Sequence, residues 1–402
     1  MRVLFLSVSD ALGGSEIALV DMISALRRVR PSWAIGLVLP GKGPLLRRAE
    51  EAGADCTMLA LPASLARVGE FASSTSRWPL AAHAALAARL VPVAAALPGY
   101  VRRLRRVVRG FRPDIVHTNG LKAHILGARG SDGAKVVWHM HEYVGDRAVT
   151  RSLLSAHAGR AAAILANSSS VADDVRRTLP HAVAPDIVYN AVDLSVFAPA
   201  GETEDLDARA GWKPSTTPVI RVGLLGTFAR WKGHETFLRA IAALPPALPV
   251  RAYVIGEPLY TTAGSQYDLA ELERLAAALG VRERVGFTGF LRAAPSMRAL
   301  DVVVHASTRP EPFGLVIAEA MACGRSVITS ASGGSAELVT PDVDALTHAP
   351  GDAAGLSRQI ARLATDPDLR RRLGEAAHRA ARSKFDPDRL ARELAVVYER
   401  VA

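Results

Sequence analysis

A chain of 402 residues, 49% hydrophobic and 22% charged, has a globular composition, is long enough for two ordinary domains, and is not a disordered polymer. Its net charge of +10 is uneven: residues 1–200 hold 24 Lys and Arg against 15 Asp and Glu, and residues 201–402 hold 25 against 24. Two cysteines, Cys56 and Cys323, exclude a disulfide framework and a cysteine zinc site; their apolar surroundings read as buried free thiols.

In chain order, residues 3–8 read as a strand, because the opening lacks the basic leader and small-residue cleavage site of a signal peptide. Ser15 caps a helix with the apolar stripe Ile17, Val20, Ile23 and Leu26. Strands at 35–39 and 57–61 flank a helix beginning at Pro44, and further strands are expected at 114–117, 136–140, 163–166 and 187–189. Residues 62–112 break this rhythm. They are rich in Ala, Arg and Leu, are interrupted by Pro79, Pro92 and Pro98, and read as an inserted helical layer. Its arginines, Arg102, Arg103, Arg105, Arg106, Arg109 and Arg112, suit phosphate or anionic lipid, and equally a solvated helix face.

Pro, Gly and acidic residues at 198–217 mark a linker. Strands then recur at 219–225, 250–255, 285–287, 302–305 and 326–329, and residues 387–401 form an amphipathic helix. The expected fold is α/β with two doubly wound domains, 1–198 and 199–385, followed by a terminal helix at 386–402. The most apolar window, 80–97, contains His83, Arg89 and Pro92, so no membrane span is expected and a cytoplasmic location follows.

Ligands of open parallel sheets bind beyond the carboxyl ends of the strands. After the first strand, Gly13-Gly14 lets a ligand approach the backbone, and the helix start favours anions. A dinucleotide site is disfavoured: the loop lacks GxGxxG, and the second strand ends in Leu39-Pro40-Gly41 without an acid. A plain tight turn is the alternative. In the second half, the loop 226–233 carries Arg230 and Lys232, cations suited to a diphosphate. The strand at 302–305 leads into a loop bearing Glu311, with Pro312 expected in the first turn of a helix that carries Glu319 on roughly the same side. That spacing alone also describes two solvated glutamates. Asp342/Asp344, Asp366/Asp368 and Asp386/Asp388 sit beside prolines or turns and read as turns and caps, so no metal site is expected.

The carrier sequence around Glu311 and Glu319 resembles the E-x7-E signature of retaining GT-B glycosyltransferases, particularly glycosyltransferase family 4. The likeness runs in order through Gly13-Gly14, residues 114–117, residues 137–142, residues 190–193, Lys232-Gly233, residues 287–290 and residues 333–337. It implies two Rossmann-like domains facing across a cleft, with the terminal helix at 386–402 crossing back to pack on the first. It also implies transfer of a sugar, with retention, from a nucleoside-diphosphate sugar to a hydroxyl acceptor, without a metal or other cofactor. By position, Glu311 would approach the donor sugar and Glu319 the nucleotide ribose. Lys232 and the backbone at Phe313, Gly314 and Leu315 would bind the diphosphate, Gly13 and Gly14 would admit the donor, and Phe290 would line the base pocket. His141 would face the reacting sugar, and Asn119 and Lys122 would lie on the acceptor side. Many relatives have Arg where this chain has Thr227; Arg230 is the candidate replacement. UDP is favoured over GDP. The acceptor is a glycan, a lipid-linked sugar or a small natural product. The basic first domain is compatible with peripheral contact at the inner face of the cell membrane, and the run of arginines lacks the interleaved aromatics of a nucleic-acid site. A sugar-nucleotide epimerase on the same fold and a non-catalytic nucleotide-sugar-binding subunit are the alternatives.

Overall fold

A computed structural model describes residues 1–66, 79–145, 147–259 and 264–402. The chain divides into two compact units, Met1–Ala191 with Pro387–Ala402, and Val192–Asp386.

Among the described residues, the first unit holds seven parallel strands. These are β1 (Arg2–Ser7), β2 (Ala34–Leu39), β3 (Asp55–Met58), β4 (Ile115–Asn119), β5 (Lys135–Met140), β6 (Ala161–Ala166) and β7 (Asp186–Ile187), in the order β3-β2-β1-β4-β5-β6-β7. Residues 3–6 of β1 are all apolar and all buried, which is what a parallel sheet covered on both faces demands. Tyr398, Leu394 and Leu390 of the helix Pro387–Val401 complete the same core as Phe5, Ile23 and Leu37. Each fully buried side chain of this size stabilises by roughly 1.5–3 kcal/mol.

Within the inserted layer the structure describes the helices Ala63–Ala66 and Pro79–Phe111; residues 67–78 lie outside the described residues. Pro92 and Pro98 do not interrupt the second helix, as the sequence suggested they would, but lie inside it. An internal proline costs a helix about 3 kcal/mol. Here Tyr100, Leu104 and Val108 pack the helix onto Leu4, Leu6, Val116 and Leu126, and that burial holds it through the prolines.

The second unit holds six parallel strands among its described residues: β8 (Ile220–Leu225), β9 (Val250–Ile255), β10 (Val285–Gly289), β11 (Val302–His305), β12 (Ser326–Thr329) and β13 (Leu346–Thr347). Their order is β10-β9-β8-β11-β12-β13. Residues 192–198, assigned to the first domain from sequence, belong to this unit. The Val192 amide donates to the Phe385 carbonyl, and Arg298 donates to the carbonyls of Val196, Ala198 and Glu202. In both sheets the chain reverses direction of winding beside the first strand, between β1 and β4 and between β8 and β11.

Candidate active site

In the second unit, Lys232 and Glu311 stand on the loops that follow β8 and β11, the two strands at the reversal point. The loops are drawn together by the Thr308 amide, which donates to the Trp231 carbonyl at 2.7 Å, and by close passage of Gly233 against Ala306. Lys232 Nζ thereby reaches both carboxylate oxygens of Glu311, at 2.9 and 3.0 Å, and lies 4.2 Å from the centre of the Trp231 ring.

Glu311 is 7% exposed and is fixed on every side. Its amide donates to the Ser332 carbonyl, and its own carbonyl accepts from the Gly334 amide at 2.7 Å. Ser307 Oγ donates to Oε2 at 2.8 Å, and His305 Nε2 lies 3.2 Å from the same oxygen. Thr329 Oγ1, which accepts from the Ala331 amide, lies 3.0 Å from His305 Nδ1. A hydrogen on His305 Nε2 and a Thr329 hydroxyl donating to Nδ1 satisfy this chain of bonds together. Burial alone would raise the Glu311 pKa; the Lys232 ammonium and His305 outweigh it and hold the carboxyl well below the ordinary carboxylate range.

Arg230 is not brought to this pair. Backbone pairing of Ala229 with Gln266 turns its guanidinium onto Glu271 at 2.8 Å, the Gly264 carbonyl and the Tyr267 ring. Pro312 is likewise not in a helical first turn. The helix is Leu315–Ala322, and Gly314, at φ +99°, is its N-cap, because the bridge between Glu311 and Gly333 keeps the preceding backbone extended. Phe313 is buried, edge-on to Phe385, and Glu319 is buried on the helix. Phe290, just past β10, is 73% exposed.

In the first unit, Gly13 caps the helix Gly14–Val29, its amide donating to the Glu16 carboxylate at 3.2 Å. A Cβ placed on Gly14 would meet nothing within 4 Å, so packing within the protein does not demand glycine there. Asn119, ending β4, is buried and donates from Nδ2 to the Ser15 carbonyl, and Lys122 donates to the Ala66 carbonyl. His141 follows β5 and belongs to a run of buried rings. Its ring lies 4.1 Å from that of His139, which lies 5.3 Å from that of His117, whose Nδ1 meets the Tyr398 hydroxyl at 2.6 Å. Burial pushes His141 down to about 4, and burial together with the nearby His141 pushes His117 down to about 3.

Folding therefore favours the neutral form of both rings. The stability they contribute is present above the ordinary histidine value of 6.5 and is lost as pH falls from there toward about 4. Thermal melts should drop across that window by up to about 1.4 kcal/mol per pH unit for each ring. His141→Gln should flatten the slope; a melting temperature indifferent to pH across it would contradict the assignment.

Sequence reasoning assigned no role to Ser307, His305 or Thr329, nor did it join Tyr398 to His117. Ser307 and His305 were findable, since they flank the strand end that carries Glu311. Among the described residues, no three of His, Cys, Asp or Glu are grouped to hold a metal ion.

Residues 13–196 match the family model for Glycosyltransferase Family 4, and residues 213–380 that for Glycosyl transferases group 1. The lipopolysaccharide core biosynthesis glycosyltransferase LpsE of Rhizobium meliloti is 32% identical over 193 residues, 48% of this chain and 53% of its own. A D-inositol 3-phosphate glycosyltransferase of Streptomyces bingchenggensis is 34% identical over 253 residues, 60% of this chain and 53% of its own. The chain thus spans about half the length of these curated relatives. Anabaena HepE, solved in complex with UDP-glucose, matches at a TM-score of 0.78 over 100% of both chains with 24% identity, a likeness of fold. The chain accordingly has the GT-B fold, with its first part similar to the Glycosyltransferase Family 4 model and its second part to the Glycosyl transferases group 1 model.

Proposed function

We propose that this protein transfers a sugar from a nucleoside-diphosphate sugar, UDP-linked by preference, to a hydroxyl acceptor, with retention of anomeric configuration. The observation that carries the reading is the pairing of the buried Glu311 with the half-buried Lys232 at the reversal point of a parallel sheet. An ammonium has three donors, so Lys232 can keep Glu311 and still meet a diphosphate oxygen. As the anomeric C–O bond to phosphate breaks, negative charge grows on the leaving group. Lys232 and the amides at the start of the helix Leu315–Ala322 oppose it electrostatically, so the reading calls on no metal. The acceptor oxygen bonds to the same face of the sugar, and its proton passes to the departing phosphate.

Glu311, held ionised and immobile, takes the donor sugar's hydroxyls and favours developing positive charge at the ring. Glu319 takes the ribose, Phe290 the base, and His141 the sugar in its neutral form. Gly13 and Gly14 give the donor access to the first domain, which the open space at Gly14 supports. Arg230 is kept in the donor-site proposal only as a neighbour, because Glu271 already holds it. Asn119 and Lys122 shape the acceptor side by fixing the Ser15 and Ala66 backbone. The acceptor is a glycan, a lipid-linked sugar or a small natural product, and the enzyme works in the cytoplasm or at the inner face of the membrane.

Calorimetric titration with UDP and GDP tests this, repeated on Lys232→Ala and Glu319→Ala. One nucleoside diphosphate should bind selectively and lose at least about tenfold in affinity in each variant, the worth of a charge-assisted hydrogen bond. Binding of neither nucleotide, or binding unchanged in both variants, would overturn the donor-site assignment.

A further inference from the structure

The helix Pro79–Phe111 runs for 33 residues without one Asp or Glu. Its buried side is accounted for by Tyr100, Leu104 and Val108, which pack onto the sheet. The opposite side is a single exposed strip. Val91, Ala95, Pro98, Arg102, Arg106 and Arg109 follow one another at spacings of three and four residues, and all are exposed. The strip spans about 27 Å at 1.5 Å per residue. It is apolar at its start, where Val91 is 67% exposed, and cationic at its end.

Part of the charge is already committed: Arg109 pairs with Asp132 at 2.6 Å, and Arg105 donates to the Arg129 carbonyl. Among the described residues, no carboxylate lies within ion-pair distance of Arg102 or Arg106, the first two cations after the apolar part of the strip.

We infer that this strip is a docking surface for an anionic lipid bilayer, lying along the headgroups with Val91 toward the acyl boundary and Arg102 and Arg106 on the lipid phosphates. A long row of cations beside an exposed apolar segment complements a flat anionic surface that also accepts apolar side chains. Nucleic acid would want aromatic stacking partners along the strip, and the helix keeps Tyr100 buried and Phe111 partly so. Among the described residues no helix is long and apolar enough to cross a membrane, so the helix lies on the bilayer. The inference rests on the charge and exposure of one helix, and stands or falls independently of the donor assignment.

The test is co-sedimentation of the full chain with vesicles of phosphatidylcholine alone and of phosphatidylcholine with phosphatidylglycerol. The anionic vesicles should capture the protein, and added salt should release it. Arg102→Glu with Arg106→Glu should weaken capture by about six hundredfold with thermal melting unchanged, because each basic residue near the surface is worth about fivefold and reversal counts twice. Val91→Asp should weaken it as well. Equal capture by both vesicle types, no capture by either, capture untouched by the double reversal, or tighter capture by duplex DNA at the same salt would each overturn the inference.

Discussion

Lys232→Ala is expected to cost the second unit about 3–5 kcal/mol, the usual loss when one partner of a buried ion pair is removed and the other charge is left behind. Glu311 would keep Ser307 and His305 as donors but lose the cation that offsets its burial. Its carboxyl pKa would then rise, and the difference between parent and variant should close as pH falls below the ordinary carboxylate value of 4.5, where a protonated Glu311 no longer needs Lys232. Denaturant melts at neutral and acidic pH measure this directly. The double variant Lys232→Met, Glu311→Gln removes both charges together and should recover most of the lost stability while remaining without transferase activity. If the single variant melts like the parent, the pair is not the buried, mutually dependent unit described above. If the double variant is stable and active, the pair is structural only and the proposed chemistry lies elsewhere.

Gly233→Ala should be nearly as damaging, for a different reason. Gly233 has φ +79°, and a Cβ there would stand 1.8 Å from the Ala306 carbonyl oxygen. Backbone, rather than a flexible side-chain tip, blocks the methyl group, so the loops after β8 and β11 would have to separate. Left-handed strain and forced repacking together come to about 2–5 kcal/mol. For a unit of this size that is a fall in melting temperature of roughly 5–15 °C. Because Lys232 and Glu311 ride on those two loops, affinity for the nucleoside diphosphate should fall in the folded variant as well. Gly14→Ala is the control: its added methyl group has open space and should leave the melting temperature within about 2 °C of the parent. A Gly233→Ala protein that melted and bound as the parent does would mean that the two loops are not in contact.

The alternation of strands and helices was legible because the interior of a strand buried on both faces must be apolar, as residues 3–6 of β1 and 302–304 of β11 are. Elements held by distant contacts were not. β13 has two residues, too few for a period, and is defined by its bonding to β12. The helix around Pro92 and Pro98 reads as broken locally and is kept whole by packing. In the site, Lys232 could be picked out by type and position, since a cation after a strand end suits an anionic ligand, whereas Glu311 stood out only through the resemblance of the sequence that carries it. Their direct pairing could not, because it depends on how two loops 79 residues apart approach each other. The destination of Arg230 was hidden for the same reason: Glu271 lies 41 residues away, and no spacing rule connects them. The resemblance already placed the last helix against the first domain, but the link from Tyr398 to His117 spans 281 residues, and nothing in the sequence joins the two side chains.

That helix also sets the order of events on the ribosome. Ordinary multidomain chains fold from the amino end as each domain emerges. Here the first unit lacks Leu390, Leu394 and Tyr398 until everything through Asp386 has been synthesised. The second unit, continuous from Val192 to Asp386, can close while the first still has an open apolar groove beside the helix Gly14–Val29. Nascent chains halted just before Pro387 should therefore carry a protease-resistant second half attached to a first half that chaperones still recognise.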